Sequence, residues 1–465
     1  MLSMMAQLGF PDLWLNWMRV IFSSGFSSIL LNGVPGKQFH CKRGVRQGDP
    51  LSPLLFVLAA ELLQYVINDA CQQGHLQLPL PQPSTDFPII QYADETLMLM
   101  QAEEAQLYHL KGIIDDFALS TGLKVNFSKS PMIPINVSDA RIEQLAAILG
   151  CQVGSLPFTY LGLPTGTTKP RMTDLTPMMD RVERRLSACS SLLSYTCILQ
   201  MINSVITPVT TYSMCTIKLP AGVIENIDRA RKQCLWRGNN QSNRGGNLVA
   251  WQKVQKPKAK GGLGILNLKL QNDALLLKQL HKFYMNSNIP WCKLIWWKYY
   301  QHKVPHAIRE VGSFWWKDIL RLSTIYRGIA RYTIGDGSTV TFWDDLWTND
   351  ILSFKYPRLY SFAKEQRISV QKITQTEDIP EIFTLPLSEQ AMEELLSMQH
   401  DIQQVNYDVG SNDVWTFLWG NNQYTSSRFY KLAFKYLQVP KTFKRVWNSK
   451  CTPRLKFFAW LVLMD

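Results

Sequence analysis

Residues 89–100 read Ile-Ile-Gln-Tyr-Ala-Asp-Glu-Thr-Leu-Met-Leu-Met, and this stretch places two adjacent acids between two apolar runs of strand length. The pattern predicts a β-hairpin with Asp94 and Glu95 at its tip. Neighbouring carboxylates on a buried hairpin require a cation to neutralise them, and a divalent metal ion is suited to do so. An acidic turn on a solvated surface produces the same pattern, so the metal site needs support from a second motif.

That support comes from residues 43–56, which read Arg-Gly-Val-Arg-Gln-Gly-Asp-Pro-Leu-Ser-Pro-Leu-Leu-Phe. A basic glycine loop here runs directly into an apolar helix. The side chains expected to bury one side of this helix are Leu54, Leu55, Leu58, Leu62 and Val66. Free backbone amides at such a helix start can meet a phosphate or a template base. A capped core helix with a surface loop explains the helix, but not the clustering of Arg43, Arg46 and Gln47 before it.

Together, the loop and Tyr92-Ala93-Asp94-Glu95 resemble the reverse transcriptases of non-LTR (LINE-type) retrotransposons, particularly the plant kind. In that family a glutamine-glycine loop precedes a Tyr-Ala-Asp-Asp hairpin. The resemblance implies that Arg46, Gln47 and Gly48 bind substrate, and that Asp94 and Glu95 are catalytic metal ligands. Glu95 departs from the family's second aspartate, and its extra methylene can displace a ligand by about an ångström.

Two further segments resemble motifs of the same family. Residues 122–130, Gly-Leu-Lys-Val-Asn-Phe-Ser-Lys-Ser, resemble its fourth palm motif, which implies that Lys129 lies near the incoming triphosphate. Judged without the resemblance, a lone lysine at the edge of a strand is usually just solvated. Residues 160–164, Tyr-Leu-Gly-Leu-Pro, resemble the next motif, a hairpin that supports the primer strand.

The activity that the resemblance implies is DNA synthesis from deoxynucleoside triphosphates, so an RNA template, a DNA primer and their RNA:DNA hybrid are expected partners. Two Mg²⁺ ions held by aspartates activate the primer hydroxyl in such enzymes. Residues 1–8 contain no acid, and Asp12, beside Pro11, is suited to begin a helix. The resemblance thus implies that the first aspartate-bearing palm segment precedes Met1, and we expect weakened metal binding and impaired catalysis in this chain. The alternatives are a nucleic-acid-binding protein without chemistry and an unstable remnant of a retroelement.

The composition favours an anionic partner. The net charge is +13 and the pI is near 9.2, and clustered Lys and Arg gain affinity from counterion release when they bind phosphates. An acidic membrane surface is the rival partner. No uncharged run reaches the roughly 18 residues of a spanning helix, because Glu61 interrupts the longest candidate, and no signal peptide is evident. We expect an intracellular protein, in a nuclear or cytoplasmic ribonucleoprotein, with no membrane partner.

The nine cysteines are scattered, without Cys-x-x-Cys spacing or paired histidines nearby. This distribution indicates reduced core thiols, and we expect no zinc in this chain. Residues 446–460 resemble the entry to the zinc-binding module that closes these reverse transcriptases, and the ligands of that module are expected beyond Asp465.

The expected fold class is α+β, with a partial right-hand polymerase palm at residues 1–165, followed by a helical thumb and a mixed α/β region. The remaining predicted segments are the thumb at 166–240, a basic post-thumb connection at 241–350, a linker at 351–413 and the start of a zinc-binding-like module at 414–465. In the thumb, one apolar stripe comprises Met179, Val182, Leu186, Cys189 and Leu193. An interaction bundle without an enzymatic role fits the same periodicity.

Two long stretches are basic and free of acids. Residues 229–272 contain ten Lys or Arg, and faces of folded domains normally mix charge signs, so this run is expected to bind phosphates. The candidate nucleic-acid-binding side chains in it are Lys253, Lys256, Lys258 and Lys260. Residues 414–464 contain nine basic residues interleaved with aromatics, a pattern that suits RNA. The aromatics concerned are Trp415, Phe417, Trp419, Tyr424, Phe429 and Tyr430.

Turn signals predict two more hairpins. Asn32-Gly33 is expected to connect strands within residues 27–42, and Asp336-Gly337 is expected to connect strands at 330–334 and 339–343. The second acid pair, Asp344-Asp345, has no preceding basic glycine loop, so we predict a structural role for it.

Overall fold

The computed structural model describes residues 1–41, 44–80, 86, 88–189, 193–237, 246–285, 287–300, 304, 311–376, 379–405 and 410–464, with the side chains of 187–189, 237 and 379 excepted. The chain divides into two compact units, residues 1–156 and 157–465. Both combine helices with short two-stranded sheets, and one of these sheets is parallel. The predicted α+β class is therefore confirmed.

In its described residues, the first unit has five α-helices and eight short strands. The helices are α1 (Leu2–Gln7), α2 (Asp12–Ser23), α3 (Ser52–Gln72), α4 (Glu104–Thr121) and α5 (Asp139–Leu149). The strands are β1 (Phe26–Ser27), β2 (Leu30–Leu31), β3 (Val34–Pro35), β4 (Phe39–His40), β5 (Ile89–Tyr92), β6 (Glu95–Met98), β7 (Pro131–Met132) and β8 (Gln152–Val153). The antiparallel pairs are β1 with β4, β2 with β3, and β5 with β6, while β7 and β8 are parallel.

The amino-terminal turn signals agree with the structure. Helix α2 begins at Asp12, directly after Pro11. Asn32 and Gly33 take φ values of +52° and +83°, the left-handed pair that a two-residue hairpin turn requires, and they connect β2 to β3. Asp12 therefore begins a helix as predicted, and the hairpin within residues 27–42 is confirmed for its described part.

Helix α3 buries a side that matches the predicted one in part, since the predicted Leu58 and Leu62 are half-buried against the cores of this unit. Leu55, Ala59, Leu63 and Ile67 are buried, whereas Leu54 and Val66 are exposed. The buried residues follow one row at four-residue spacing, which packs against α1 and α2 at its start and against α4 further on. By length and composition alone, α3 also qualifies as a helix that could cross a bilayer, which is weak evidence because core helices pass the same test.

The second unit begins with strands β9 (Phe158–Tyr160) and β10 (Leu163–Thr165), followed by helices within the range 166–240 that was predicted to be helical. These are α6 (Thr176–Cys189), α7 (Tyr195–Met201), α8 (Thr207–Thr216) and α9 (Ala221–Arg237). Val182 and Leu186 are buried as predicted, and Arg181, Arg184 and Arg185 are exposed. The side chain of Cys189 lies outside the described residues, and Leu193 is largely exposed.

The rest of the second unit is helical with one more strand pair. Its helices are α10 (Trp251–Val254), α11 (Leu268–Tyr284), α12 (Pro290–Tyr299), α13 (Phe314–Leu320), α14 (Ser323–Gly328), α15 (Leu352–Lys355), α16 (Pro357–Ser361), α17 (Val370–Thr374), α18 (Glu389–Gln403), α19 (Ser426–Leu432), α20 (Lys441–Asn448) and α21 (Pro453–Val462). Its strands are β11 (Ala330–Thr333) and β12 (Val414–Phe417), which pair antiparallel.

Two hydrophobic cores fill this unit. The first, which we call the bundle core, joins the side chains of α6 to α9 with residues 249–268 and with Phe443, Phe457 and Trp460 from the last two helices. The second, which we call the aromatic core, is centred on α11, α13, β11 and β12. The segment predicted as a linker, residues 351–413, contributes Leu359, Ile368, Val370, Phe383 and Met398 to the aromatic core.

The predicted hairpin around Asp336-Gly337 is wrong. Strand β11 pairs with the distant β12 and not with residues 339–343. The cause is Asp413, whose carboxylate accepts hydrogen bonds from the backbone amides of Gly335 (2.9 Å), Gly337 (2.8 Å) and Thr339 (2.9 Å). These bonds fold the glycine segment into a loop around one side chain, and β12 follows Asp413 directly.

The second acid pair is structural, as predicted. Asp345 is buried and forms an ion pair with buried Arg327, and it accepts hydrogen bonds from the backbone amide and the hydroxyl of Thr341, both at 2.7 Å. Arg327 also donates to the Thr339 carbonyl at 3.1 Å and lies over the rings of Tyr284 and Trp415. Burial is the largest influence on the pKa of Arg327 and would lower it, but the combined effect of Asp345, Tyr284 and Tyr332 raises that pKa, so the buried guanidinium stays charged.

Candidate functional site

The acidic hairpin forms as the sequence predicts. Tyr92 pairs with Glu95 and Ile89 pairs with Met98, so Ala93 and Asp94 are the two residues of the turn. Asp94 and Glu95 are both exposed at the tip. The hairpin therefore presents two neighbouring carboxylates to solvent from the end of a short, regular ladder.

The base of the hairpin is anchored to the core of the first unit. Ile89 and Met98 pack against the cluster that contains Leu63 and Ile67 of α3. The Gln91 side-chain amide donates to the Ala60 carbonyl on the same helix at 3.1 Å. A glutamine in the strand was not singled out in the sequence, but it fixes the position of the carboxylates relative to α3.

The glutamine-glycine loop lies at the start of that same helix. Arg46, Gln47 and Gly48 are exposed, and Gly48 takes φ +88°, a conformation that favours glycine. The Arg46 carbonyl accepts a hydrogen bond from the Ser52 hydroxyl at 2.6 Å, which ties the loop to the first residue of α3. At about 1.5 Å of rise per residue, Ser52 lies about 12 Å along the helix from Ala60, so one helix carries both motifs. Arg43 lies outside the described residues.

Lys129 lies on a third segment of the same unit. It is exposed and ends a single 3₁₀ turn, Phe127–Lys129, so it is not at the edge of a strand as the pattern suggested. Phe127 packs against the cluster that also supports Ile89 and Met98 of the hairpin. The hairpin and the Lys129 turn therefore share one supporting core, whereas the loop precedes the start of α3, which packs in a separate cluster with Met5 and Met18. Among the described residues of the three segments, no direct contact joins their polar side chains.

The carboxylates do not complete a metal site by themselves. Oxygen ligands such as Asp94 and Glu95 are the type that Mg²⁺ binds in proteins. Within the described ranges, however, no three histidine, cysteine, aspartate or glutamate side chains are grouped so that they could hold a metal ion. A two-metal centre needs more bridging oxygens than two exposed side chains supply. The residues present thus fit part of such a centre and not the whole.

The strain at Ala93 leads to a first prediction. Ala93 takes φ +50°, a left-handed conformation that costs an L-residue roughly 1–2 kcal/mol and that glycine adopts freely. We expect Ala93→Gly to stabilise the hairpin by up to about 1 kcal/mol, because part of the gain is lost to the greater freedom of glycine in the unfolded chain. Hydrogen exchange of the amides in β5 and β6 measures the change.

The matched control is Ala118→Gly in α4, where the same substitution should destabilise by about 1 kcal/mol because the site is helical. Faster exchange in β5 and β6 of the Ala93→Gly variant would contradict the turn geometry.

The basic candidates in the second unit have varied surroundings. Lys253 and Lys258 are exposed, and Lys256 is half-buried. The Lys258 ammonium lies 5.0 Å from the centre of the Trp447 ring. The Lys260 ammonium donates to the carbonyls of Lys435 and Leu437, both at 2.9 Å. The Lys260 ammonium is therefore occupied by hydrogen bonds to the backbone after α19. The exposed Lys253 side chain is accessible to a ligand.

The aromatic residues expected to stack on RNA bases are core residues. The side chains of Trp415, Phe417, Tyr424, Phe429 and Tyr430 are all buried. Trp415 stacks on Tyr284 with ring centroids 4.6 Å apart, and Phe417 stacks on Trp419 at 4.9 Å. The expectation that these rings bind bases is therefore wrong. Trp415 and Phe417 alternate with exposed residues because β12 buries every second side chain.

A comparison with protein families finds a match in the first part of the chain. Residues 2–165 match the family described as reverse transcriptase (RNA-dependent DNA polymerase). This range contains the glutamine-glycine loop, the acidic hairpin, Lys129 and the β9–β10 hairpin, which are the segments that carried the resemblance.

Three curated relatives are similar to the chain at low identity. A protein of Arabidopsis thaliana named as a ribonuclease H protein is 28% identical over 178 residues, which cover 37% of this chain and 28% of that protein. An uncharacterized mitochondrial protein of Arabidopsis thaliana is 29% identical over 143 residues, 30% of this chain and 92% of that protein. The retrovirus-related Pol polyprotein from type-1 retrotransposable element R2 of Popillia japonica is 22% identical over 290 residues, 60% of this chain and 45% of that protein. The chain therefore spans less than half the length of the first and third of these relatives.

Proposed function

We propose that this chain is the part of a non-LTR retrotransposon that serves RNA-directed DNA synthesis. The premise is that residues 2–165 carry a reverse transcriptase domain of the retroelement kind. The observation that carries the proposal is the placement of two motifs on one helix. The basic glycine loop begins α3, and the hairpin that bears Asp94 is bonded to the same helix at Ala60.

In this proposal the substrates are an RNA template, a DNA primer and deoxynucleoside triphosphates. The exposed Arg46 guanidinium and the backbone amides around Gly48 are suited to bind phosphate or a template base at the start of α3. Lys129 supplies a second positive charge for the triphosphate. We assign the Asp94 and Glu95 carboxylates to the reacting end of the primer.

Enzymes of the reverse transcriptase family generally use divalent metal ions, which stabilise the charge of the transferring phosphate. We propose Mg²⁺ for this chain, with Asp94 as a ligand and Glu95 beside it. Asp94 and Glu95 alone leave the coordination incomplete, so further carboxylates must be supplied to them. We also propose that the protein acts in an intracellular ribonucleoprotein, in the nucleus or the cytoplasm, where its RNA template is found.

Primer extension on an RNA template tests the proposal. The test protein is the chain extended ahead of Met1 by an aspartate-bearing palm segment of the same family, so that the missing carboxylate is present. We expect Asp94→Asn to lower the rate of this protein at least a hundredfold, because one preorganised charge at a transition state typically contributes 10²–10³ in rate. Binding of the primer and template should change little.

The matched control is Asp139→Asn, which removes an exposed carboxylate at the start of α5, away from the hairpin sequence. Equal losses in both variants, or extension that survives Asp94→Asn, would refute the assignment of the hairpin. The second candidate function is a nucleic-acid-binding remnant of a retroelement without chemistry, which Glu95 in place of an aspartate favours. That reading predicts tight hybrid binding and no extension even when the palm segment is supplied.

A further inference from the structure

The two acid-free basic stretches, which are far apart in the sequence, meet in the second unit. Lys258 lies over the Trp447 ring of α20, and Lys260 bonds the carbonyls of Lys435 and Leu437. The Trp460 indole donates to the Gly261 carbonyl at 2.9 Å. The carboxy-terminal helices therefore pack against the segment around residues 258–261, and basic residues of both stretches meet at this contact.

The helix α20 turns its charges outward from this contact. Phe443 is buried in the bundle core and Trp447 is half-buried against it, whereas Lys441, Lys444 and Arg445 are exposed. These three recur at helical spacing on the side opposite Phe443. We define the joined basic surface as the exposed side chains of Lys253, Lys258, Lys435, Lys441, Lys444 and Arg445.

Carboxylates of the described residues do not neutralise the charges of the joined basic surface. Across the described residues, none of its six side chains forms an ion pair with a carboxylate. The carboxylate in α9 nearest in sequence to residues 258–261, Asp228, is held by Arg231 at 2.8 Å and by Gln255 at 3.1 Å. Several unpaired cations on one surface favour a polyanionic ligand.

The chemistry of the surface favours phosphates over bases. Proteins that bind single strands combine positive charge with exposed aromatic rings, on which successive bases stack. Here the rings of Trp415, Phe417, Tyr424 and Phe429 are buried in the aromatic core, and those of Trp419, Phe434 and Trp447 are half-buried. Among the described residues of 414–464, the exposed rings are those of Tyr436 and Phe458, which are far apart in the sequence. A surface of cations without a series of stacking rings suits the regular phosphate backbone of a duplex.

We propose that the joined basic surface binds the phosphate backbone of a nucleic-acid duplex, either an RNA:DNA hybrid or double-stranded DNA, without reading its sequence. The site is distinct from the acidic hairpin and its loop. The proposal rests on the proposed function only in taking a nucleic acid as the polyanion, and it requires no polymerase activity. Lys260 is excluded from the contact, because its ammonium is used by the backbone after α19.

Salt-dependent binding of the full 465-residue chain tests the proposal. The ligands are a 20-base-pair RNA:DNA hybrid, the same sequence as duplex DNA, and the corresponding single-stranded RNA. For Lys444→Gln with Arg445→Gln, we expect the slope of log affinity against log salt to fall by about two on a duplex, because each lost phosphate contact removes about 0.9. Affinity at 0.1 M salt should fall at least tenfold.

A third substitution tests whether the two stretches act as one surface. Adding Lys253→Gln should reduce the slope by about one more, although this residue belongs to the other basic stretch. The matched control is Arg331→Gln with Arg358→Gln, which removes two exposed positive charges from the aromatic-core region and should leave the slope unchanged. Tyr436→Ala should change affinity by less than about twofold. Equal thermal unfolding of all variants shows that the fold is retained.

Three results would overturn the proposal. The first is an unchanged duplex slope in the Lys444/Arg445 variant. The second is tighter binding to the single strand than to either duplex, with a large loss on Tyr436→Ala, which would indicate base stacking. The third is binding to vesicles with 30% phosphatidylserine that depends on these side chains while duplex binding does not. Equal affinity for the hybrid and for duplex DNA would show that the surface recognises the phosphate backbone that both duplexes share. A higher affinity for one of them would identify that duplex as the ligand. None of these outcomes depends on primer extension, so failure here leaves the proposed function to its own test.

Discussion

The isolated 465-residue chain is expected to extend a DNA primer on an RNA template at least about a thousandfold more slowly than the version that carries an aspartate-bearing palm segment ahead of Met1. The reason is the number of carboxylates. Asp94 and Glu95 can contribute ligands to one metal ion, but a second ion roughly 3.5–4 Å away needs a bridging carboxylate. Loss of that preorganised charge costs several kcal/mol at the transition state, which corresponds to a rate loss of orders of magnitude.

Glu95 is expected to be a second and smaller defect. In the extended version, Glu95→Asp should raise the extension rate, because it restores the shorter side chain to the position beside Asp94 at the hairpin tip. In the isolated chain the same substitution should have no measurable effect. Single-turnover primer extension with Mg²⁺ or Mn²⁺ measures all four proteins. Robust synthesis by the isolated native chain would contradict the prediction and would mean that another acid, such as Asp12 or Asp49, completes the site.

The second large effect is expected at the buried ion pair. Asp345→Ala should destabilise the second unit by about 3–5 kcal/mol, because it leaves the Arg327 guanidinium buried without its counter-charge. The Thr341 amide and hydroxyl would lose their acceptor as well. Urea unfolding followed by tryptophan fluorescence measures the change, since Trp415 lies against Arg327.

Two further variants test whether the loss of stability comes from the unpaired Arg327 charge and not simply from removing a carboxylate. Asp350→Ala removes an exposed carboxylate that is 3.8 Å from Lys355, and the stability should change by less than about 0.5 kcal/mol. Adding Arg327→Met to Asp345→Ala should recover part of the lost stability, because the unpaired charge is then removed. A double variant that is less stable than Asp345→Ala alone would show that Arg327 acts through packing on Tyr284 and Trp415.

The elements that sequence reasoning predicted well are those specified by neighbouring residues. The acidic hairpin, the Asn32-Gly33 turn and the start of α2 at Asp12 each depend on a few consecutive side chains. The partner of β11 could not be predicted in this way, because the deciding carboxylate, Asp413, is distant in the sequence. Local turn chemistry at Asp336-Gly337 was overridden by that contact.

The candidate site shows the same division. The candidate site residues of the loop and hairpin could be identified from the sequence, because each motif consists of neighbouring residues. The hydrogen bond from Gln91 to Ala60 could not be predicted, and neither could the packing of Phe127 and Ile89 in one cluster. Both depend on how α3 and α4 pack against each other. The expectation that Trp415 and Phe417 bind RNA was wrong, because alternating aromatic and polar residues occur both in a half-buried strand and on an RNA-binding face.

The closure of the bundle core by Phe457 and Trp460 has a consequence for synthesis on the ribosome. Phe457 and Trp460 pack in the same core as Val182 of α6 and Leu235 of α9. The rings of Tyr195 and Phe457 stack with their centroids 5.3 Å apart. At roughly 5–20 residues per second, the about 220 residues between Trp236 and Trp460 take on the order of 10–45 s to translate. During that interval the nascent helices α6 to α9 expose apolar surface that chaperones recognise. The bundle is therefore expected to reach its native state only after the segment that contains Phe457 and Trp460 has left the ribosome.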